Sequence, residues 1–302
     1  MNGAGRHGIG LMVAAMAVFG AQDALSRHLA AEYGTIFILM IRFWFFAGFV
    51  LGMSALTTGG LRGVARTRHP FLQILRGVVL VLQLVLLIQG FVSIGLVESH
   101  AIFACYPLIV AALAVPFLGE RVPRVRWLAI VFGLVGVIII LRPGATILSL
   151  AAVIVLAAAS IFASYSILTR LVARHDRAET SFFYTGVTPA VLLTFAAPFV
   201  WRTVTLADWG WLALLCASGS FGHFLLIRAY QSAEANTLQP FAYLQLVTAS
   251  TLGVLVFGET LTWTTIVGAS IVVAAGLLNL WLTTRSASTS HLRVEPVKSH
   301  LR

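Results

Sequence analysis

Ionisable side chains punctuate a sequence otherwise made of long apolar runs: Asp23, Arg27, Arg42, Arg76, His100, His223 and Arg228 fall inside or near the ends of such runs. A charge at membrane depth costs several kcal/mol unless it is paired or faces water, so each is a candidate for substrate or ion handling. Asp23 and Arg27 stand four apart, the spacing that puts two side chains on one helix face. Two readings follow: a site for a proton or substrate cation at Asp23, or a structural pair with Arg27. Arg42 and Arg76 lie several residues inside their runs, where each either snorkels to a headgroup or serves a gate. His100 stands near the start of one run and His223 midway along another. Imidazole titrates near physiological pH, which suits proton handling or substrate binding as well as a plain interhelical hydrogen bond. Arg228 either snorkels or pairs with Glu234.

Other residues suggest movement and packing. Tyr106-Pro107 lies further along the run that holds His100, and Gln239-Pro240 lies inside another apolar run. Proline removes a backbone donor and frees a carbonyl, so Pro107 and Pro240 are expected to kink their helices as hinges or as fixed bends. Gly48 and Gly52 form a small-xxx-small pattern, and Ser218-Gly219-Ser220-Phe221-Gly222 offers another close-packing surface before His223. Both cysteines, Cys105 and Cys216, sit in apolar runs and read as small packing residues. The sequence holds no His-Glu-x-x-His, no Gly-x-Ser-x-Gly, no Walker phosphate loop and no Cys/His cluster at metal spacing. No enzyme, metal or cofactor reading is supported, and with no ATP motif any accumulation must come from a gradient or from exchange.

The elements that position these residues are membrane helices. The 302 residues are 59% hydrophobic and 10% charged, against about 25% charged in soluble domains, so a water-soluble surface is excluded. Apolar segments fall near 8–30, 35–56, 70–92, 95–118, 125–141, 147–169, 180–200, 209–230, 238–257 and 264–283, which predicts ten spans with short loops. The first run is read as a retained span, because no small-residue cleavage site ends it. Residues 286–302 read as a polar, basic and disordered tail. The net charge of +10 sits in short clusters between spans, a pattern of lipid-facing loops and not of a nucleic-acid surface. Placing the N-terminus inside puts 14 Lys and Arg on the cytoplasmic side and 3 on the other, so both termini are expected in the cytoplasm.

The chain also repeats. Span four ends in Phe117-Leu118-Gly119-Glu120 and span nine in Val256-Phe257-Gly258-Glu259, 139 residues apart, each followed by a short loop and a Gly-rich span. Five spans per half is odd, so the halves must be inverted with respect to each other, a transporter architecture with its site where the repeats meet. With Leu75-Arg76-Gly77, CYPLIVAALAVPFLGERV at 105–122, Ile227-Arg228-Ala229-Tyr230 and QPFAYLQLV at 239–247, the sequence resembles the ten-helix EamA-type branch of the drug/metabolite transporter superfamily.

That resemblance implies an all-α integral membrane protein of two inverted five-helix repeats, at 8–142 and 147–284, with a cytoplasmic tail at 285–302. It implies that spans three, four, eight and nine line a central cavity. Gln83, His100, Tyr106, His223, Tyr243 and Gln245 are the cavity candidates, since Tyr and Gln can orient a planar cargo by stacking and hydrogen bonding. Interhelical hydrogen bonding remains their structural alternative. Asp23, Arg42, Arg76, Pro107, Arg228 and Pro240 are the gate or coupling candidates, with Arg76 implied at the cytoplasmic entrance. The implied activity is secondary transport of a small organic metabolite across a bacterial cytoplasmic membrane, with cargo like riboflavin, S-adenosylmethionine or amino acids. Export of amino acids or toxic metabolites is the alternative, and a membrane-embedded enzyme or lipid scramblase the remote one. The expected partners are the substrate and the bilayer, and a unit of this type can work as a monomer.

Overall fold

The structure is a computed structural model describing residues 3–56, 60–119, 124–141 and 150–291, with side chains at 6–56, 60–119, 127–140 and 150–278 except 236 and 240. These residues form helices: α1 (Gly3–Tyr33), α2 (Thr35–Ala55), α3 (Gly60–Ala65), α4 (Pro70–Ile94), α5 (Leu96–Phe103), α6 (Tyr106–Leu118), α7 (Arg124–Leu141), α8 (Leu150–Val172), α9 (Ala178–Thr194), α10 (Ala197–Val200), α11 (Leu206–Ser232), α12 (Ala235–Leu238), a 3-10 turn (Gln239–Ala242), α13 (Tyr243–Phe257) and α14 (Trp263–His291). In a bilayer each backbone donor and acceptor must be satisfied within the protein, which leaves helices as the economical form for such apolar segments. Among the described residues, six stretches are long and apolar enough to cross a membrane: Arg6–Tyr33, Thr35–Ala55, Pro70–Ile94, Leu96–Leu118, Leu150–Val172 and Leu206–Ser232. Trp127–Ile140, Tyr243–Phe257 and Trp263–Leu278 are shorter apolar helices. α14 continues through His291, six residues into the segment read as a disordered tail; 292–302 lie outside the described residues.

Helix packing follows the repeat. α1 packs along α11, and its counterpart α8 packs along α4, the counterpart of α11. α1 also meets α13 as α8 meets α6, while α2 meets α9 and α7 meets α14. Each contact has its partner under exchange of the halves. The repeated Phe-(Leu)-Gly-Glu ends behave alike too: Gly119 closes α6 at φ 68, ψ 19 and Gly258 closes α13 at φ 65, ψ 24, left-handed caps that favour glycine. Glu120 lies outside the described residues.

Glycine packing differs from the expectation at one place. Among the described residues nothing lies within 4 Å of where a side chain would begin at Gly48 or Gly52, so that pattern makes no close helix contact there. The close approach occurs between α7 and α14, where a Cβ at Gly136 or at Gly268 would stand 2.6 Å from the other's carbonyl oxygen.

Two helices are broken at membrane depth. Ala104 and Cys105 form a turn between α5 and α6, with Pro107 in the first turn of α6. The matching run of the second half passes through α12 and the 3-10 turn, with Pro240 near its start, before α13 begins. Discontinuous helices are tolerated where protein or a cavity satisfies the freed backbone.

Candidate functional site

Depth comes first. Asp23 lies ten residues before the end of α1 and Arg42 seven after the start of α2, about 10–15 Å along each helix at 1.5 Å per residue. They meet at a cavity of about 30 Å³ lined by Phe19, Gln22, Asp23, Arg42, Gln83 and His223, with Phe103, Phe162, Gln245 and three leucines of α4, Leu80, Leu84 and Leu87, also in its wall. Both halves of the chain contribute.

The acid side of the cavity is built on Asp23. Gln245 of α13 donates a 2.7 Å hydrogen bond from Nε2 to Asp23 Oδ2. His100 Nε2 stands 3.1 Å from the same oxygen, within ion-pair distance although the ring is not aligned to donate a hydrogen bond. The expected Asp23–Arg27 pair does not form. Arg27 instead pairs with Glu259 and lies 4.1 Å over the Phe257 ring. Helical spacing makes Arg27 a neighbour of Asp23, but the packing of α13 and α5 against α1 supplies closer partners to each.

The basic side is built on Arg42, which is 1% exposed and so does not snorkel. Its Nη2 stands 3.3 Å from His223 Nε2. Gly219, one turn before His223, leaves the space: a Cβ there would collide with Arg42 Nε. Phe19 packs edge-on to the His223 ring at 5.1 Å, and Phe46 lies parallel at 6.1 Å. Several buried polar atoms here have no hydrogen-bond partner: Arg42 Nε and Nη1, His223 Nδ1, Gln22 Oε1 and Gln83 Oε1.

The remaining candidates spread around this centre. His100, Tyr106, Pro107, Tyr243 and Gln245 border an adjoining gap of about 10 Å³. The Tyr106 hydroxyl reaches Met16 Sδ at 3.7 Å, and Tyr243 lays its ring against Gly276 of α14. Arg228 does not pair with Glu234; it bonds Glu179 at 2.9 Å on the surface, both side chains more than 40% exposed, a pair worth little. Gln22, Phe19, Phe103 and Phe162 are cavity residues the sequence reading passed over. Gln22 had a signal, since Gln22-Asp23 is a polar doublet within a long apolar stretch; the phenylalanines had none, because aromatic residues face lipid as readily as a cavity.

Hydrogen-bonded clusters lie toward both faces from the cavity. Gly8 packs against Ser232 and Ala233, which marks the face that holds the N-terminus. On that face Arg76, fully buried, donates to Gln73 Oε1 at 3.0 Å and to the Ser181 carbonyl. Gln73 donates in turn to Asp176 Oδ2 at 2.8 Å and Ser181 Oγ at 3.2 Å; Thr67 and the Arg68 N–H also bond Asp176. Arg170 and Arg174 donate to the carbonyls of Tyr230 and Leu118 at 2.7 and 2.8 Å. On the opposite face the Glu259 carboxylate pairs with Arg27 and accepts from the Leu96 and Val97 N–H groups at 2.8 and 2.7 Å. It caps the α5 N-terminus, where the helix dipole favours an anion. A Cβ at Gly95 (φ 88) would stand 2.6 Å from that carboxylate.

The model of the EamA-like transporter family matches this sequence twice, at residues 6–142 and 149–281. The chain belongs to the EamA-like transporter family. The two matches cover the two halves that share helix order. Among curated relatives of this transporter is an S-adenosylmethionine uptake transporter of Rickettsia bellii, 29% identical over 91% of this chain and 93% of the relative. A riboflavin transporter of Vibrio cholerae is 26% identical over 91% and 93%, and a pseudopaline exporter of Pseudomonas aeruginosa 29% identical over 89% and 94%. One solved structure superposes with a TM-score of 0.66 over 93% of this transporter and 98% of its own chain at 15% identity, which shows a shared fold.

Proposed function

We propose that this transporter is a secondary carrier of small organic metabolites that works by alternating access in the cytoplasmic membrane of a bacterium. It would have ten spans in two inverted repeats, 8–142 and 147–284, and both termini in the cytoplasm. One observation carries the reading: polar and ionisable side chains of both halves, Asp23 and Arg42 of the first and His223 and Gln245 of the second, converge on a small buried cavity with hydrogen-bonded clusters toward each face. Its volume of about 30 Å³ has room for about two waters, whereas small-molecule sites run to about 300–1,000 Å³. On this reading cargo binds after one face opens, and the small cavity supports assigning this geometry to an occluded step between two openings. Arg27–Glu259 and the Asp176 cluster are the contacts that alternate.

The family and the relatives are transporters, and no chemical conversion of cargo is part of the reading. A scramblase would require a polar groove open to lipid. The groove of about 600 Å³ between α2, α9 and α11 is mainly apolar, walled by Phe45, Phe49, Phe182, Phe221 and Phe224, with Ser54, Ser220 and the Arg228–Glu179 pair as its polar members. The relatives include uptake carriers and an exporter, so direction is assigned to the imposed gradient.

The test is counterflow and uptake in proteoliposomes holding the purified protein, with S-adenosylmethionine, riboflavin and the amino acids, each with and without a pH gradient. Saturable movement of at least one compound is expected. Movement of none of them, in protein that remains folded, overturns the carrier reading.

A further inference from the structure

We infer that the lateral groove between α2, α9 and α11 holds one phospholipid with an ammonium-bearing headgroup, of the phosphatidylethanolamine class. Its phosphate meets Arg228, its ammonium meets Glu179, and an acyl chain lies along the phenylalanines. Depth is the first observation. Ala217, Ser220, Phe221, Phe224 and Arg228 are the α11 residues of the groove. Ala217 stands midway along α11, and the eleven residues from it to Arg228 span about 16 Å at 1.5 Å per residue. One leaflet of hydrocarbon is about 15 Å deep, half of a core of about 30 Å. On α2 the groove likewise runs from Phe45, midway along the helix, to Ser54 at its end. The groove therefore begins near the middle of the bilayer and ends at the N-terminal face, where α3 rests on α2 and α9 and contributes Val64.

Shape is the second. Exposed phenylalanines are ordinary on a helix that faces lipid, and a flat face offers a lipid chain nothing that neighbouring lipids do not. Here Phe45, Phe49, Phe221 and Phe224, all exposed, gather from two helices around a concavity completed by Phe182 of a third. Its volume of about 600 Å³ falls within the about 300–1,000 Å³ of small-molecule sites. A chain lying in a trough is touched on several sides, and many weak dispersion contacts add up.

Charge selects the headgroup. Arg228 and Glu179 are the charged members of the groove, and Arg228 Nη2 donates to Glu179 Oε1 at 2.9 Å. The guanidinium also lies 5.4 Å over the Phe224 ring, where the chain region begins. Both side chains are more than 40% exposed, so their mutual pairing is weak and opens at little cost. A guanidinium forks onto phosphate oxygens, and a primary ammonium brings three donors to a carboxylate. A headgroup that carries both groups answers Arg228 and Glu179 together. Phosphatidylglycerol would answer Arg228 alone and set its anion beside Glu179. Phosphatidylcholine keeps the positive charge but has no N–H to donate. Deeper in the groove the polar member is Ser220, whose hydroxyl is already bonded to the Cys216 carbonyl. The headgroup thus has no polar path down the groove, and the lipid is held in its leaflet and not carried across.

The experiment is native mass spectrometry of the full-length protein in detergent, titrated with the dioleoyl forms of phosphatidylethanolamine, phosphatidylcholine and phosphatidylglycerol, so that only the headgroup varies. The first phosphatidylethanolamine is expected to bind at least about threefold tighter than either of the others, the scale that part-exposed ion contacts allow. The preference should vanish when Glu179→Gln and Arg228→Gln are combined, and survive when the charges are exchanged by Glu179→Arg with Arg228→Glu. A diazirine in the acyl chain of phosphatidylethanolamine should label peptides carrying Phe49, Phe182 and Phe221 ahead of α7, whose Trp127, Leu128 and Val131 are also exposed. Wild-type protein that binds the three headgroups equally, or phosphatidylglycerol best, overturns the inference, and neither result needs a variant to fold. Labelling spread evenly over the exposed helices overturns it as well. So does a protein dimer that shuts the labelled lipid out, which would give the groove to a second copy of the chain. Binding is read without transport, so each of these outcomes leaves the carrier reading where it stands.

Discussion

At the scale of single residues, the side chains around Asp176 show how one carboxylate ties two loops to the start of α4. Burial raises the tendency of Asp176 to protonate, but hydrogen bonds from Thr67, Gln73 and the Arg68 N–H, with His69 nearby, outweigh it and hold the carboxyl below its ordinary value. A carboxyl depressed by folding stabilises the protein fully above its unfolded pKa and loses that contribution as pH falls through the folded value. The destabilisation caused by Asp176→Ala should therefore be constant from about pH 8 to about pH 5 and shrink only below about pH 4. Thermal unfolding in detergent across that range checks it; a difference that vanishes near neutral pH would mean that the carboxylate is not the tie. Nothing in the sequence marked Asp176, which sits in a loop where an acidic residue is ordinary. Arg42 and His223 were legible as membrane-depth ionisable groups, but their mutual contact was not, because they lie 181 residues apart and meet only once α2 and α11 are side by side.

At the scale of elements, the closure opposite the N-terminal face rests on a half-helix held by a distant carboxylate. Glu259 joins the end of α13 to the start of α5 and to α1. If that closure is what alternates, Glu259→Gln loosens it without removing a large side chain. A cysteine placed at the fully buried Leu96, with Cys105 and Cys216 replaced, should then react with a membrane-impermeant maleimide at least about tenfold faster than with Glu259 intact, a shift of about 1.4 kcal/mol in the open population. Unchanged labelling would make Glu259 a fixed cap. The sequence reading took the two Gly-Glu pairs as signs of a repeat, and the left-handed caps at Gly119 and Gly258 give that repeat a backbone reason. It did not show that the second glutamate caps another helix, since capping partners this far apart in sequence have no spacing rule. The prolines foretold breaks in spans four and nine; the turn at Ala104–Cys105 also separates His100 from Tyr106, which one unbroken helix would have carried together.

At the scale of the whole molecule, the proposed orientation follows from charge alone. Loops and termini assigned to the cytoplasm hold 14 Lys and Arg against 3 on the other side. A fluorescent protein fused after Arg302 should fold and fluoresce in bacterial cells, while alkaline phosphatase fused there should be inactive. The reverse pattern would turn the assignment over and exchange the faces at which the Asp176 cluster and the Glu259 cap act.

The sequence by itself determined the class of molecule: apolar segments, basic clusters and a repeat are sums over short stretches, and such sums do not depend on how helices rotate against one another. It also marked most of the polar residues at depth, because polar groups are conspicuous where the solvent is lipid. Only the tertiary structure decided their partners. It moved Asp23 from Arg27 to His100 and Gln245, Arg27 to Glu259 and Arg228 to Glu179, and left Gly48 and Gly52 without a neighbour. The physical reason is that a helix sequence fixes which residues share a face, whereas the identity of the facing helix depends on the packing of both halves together.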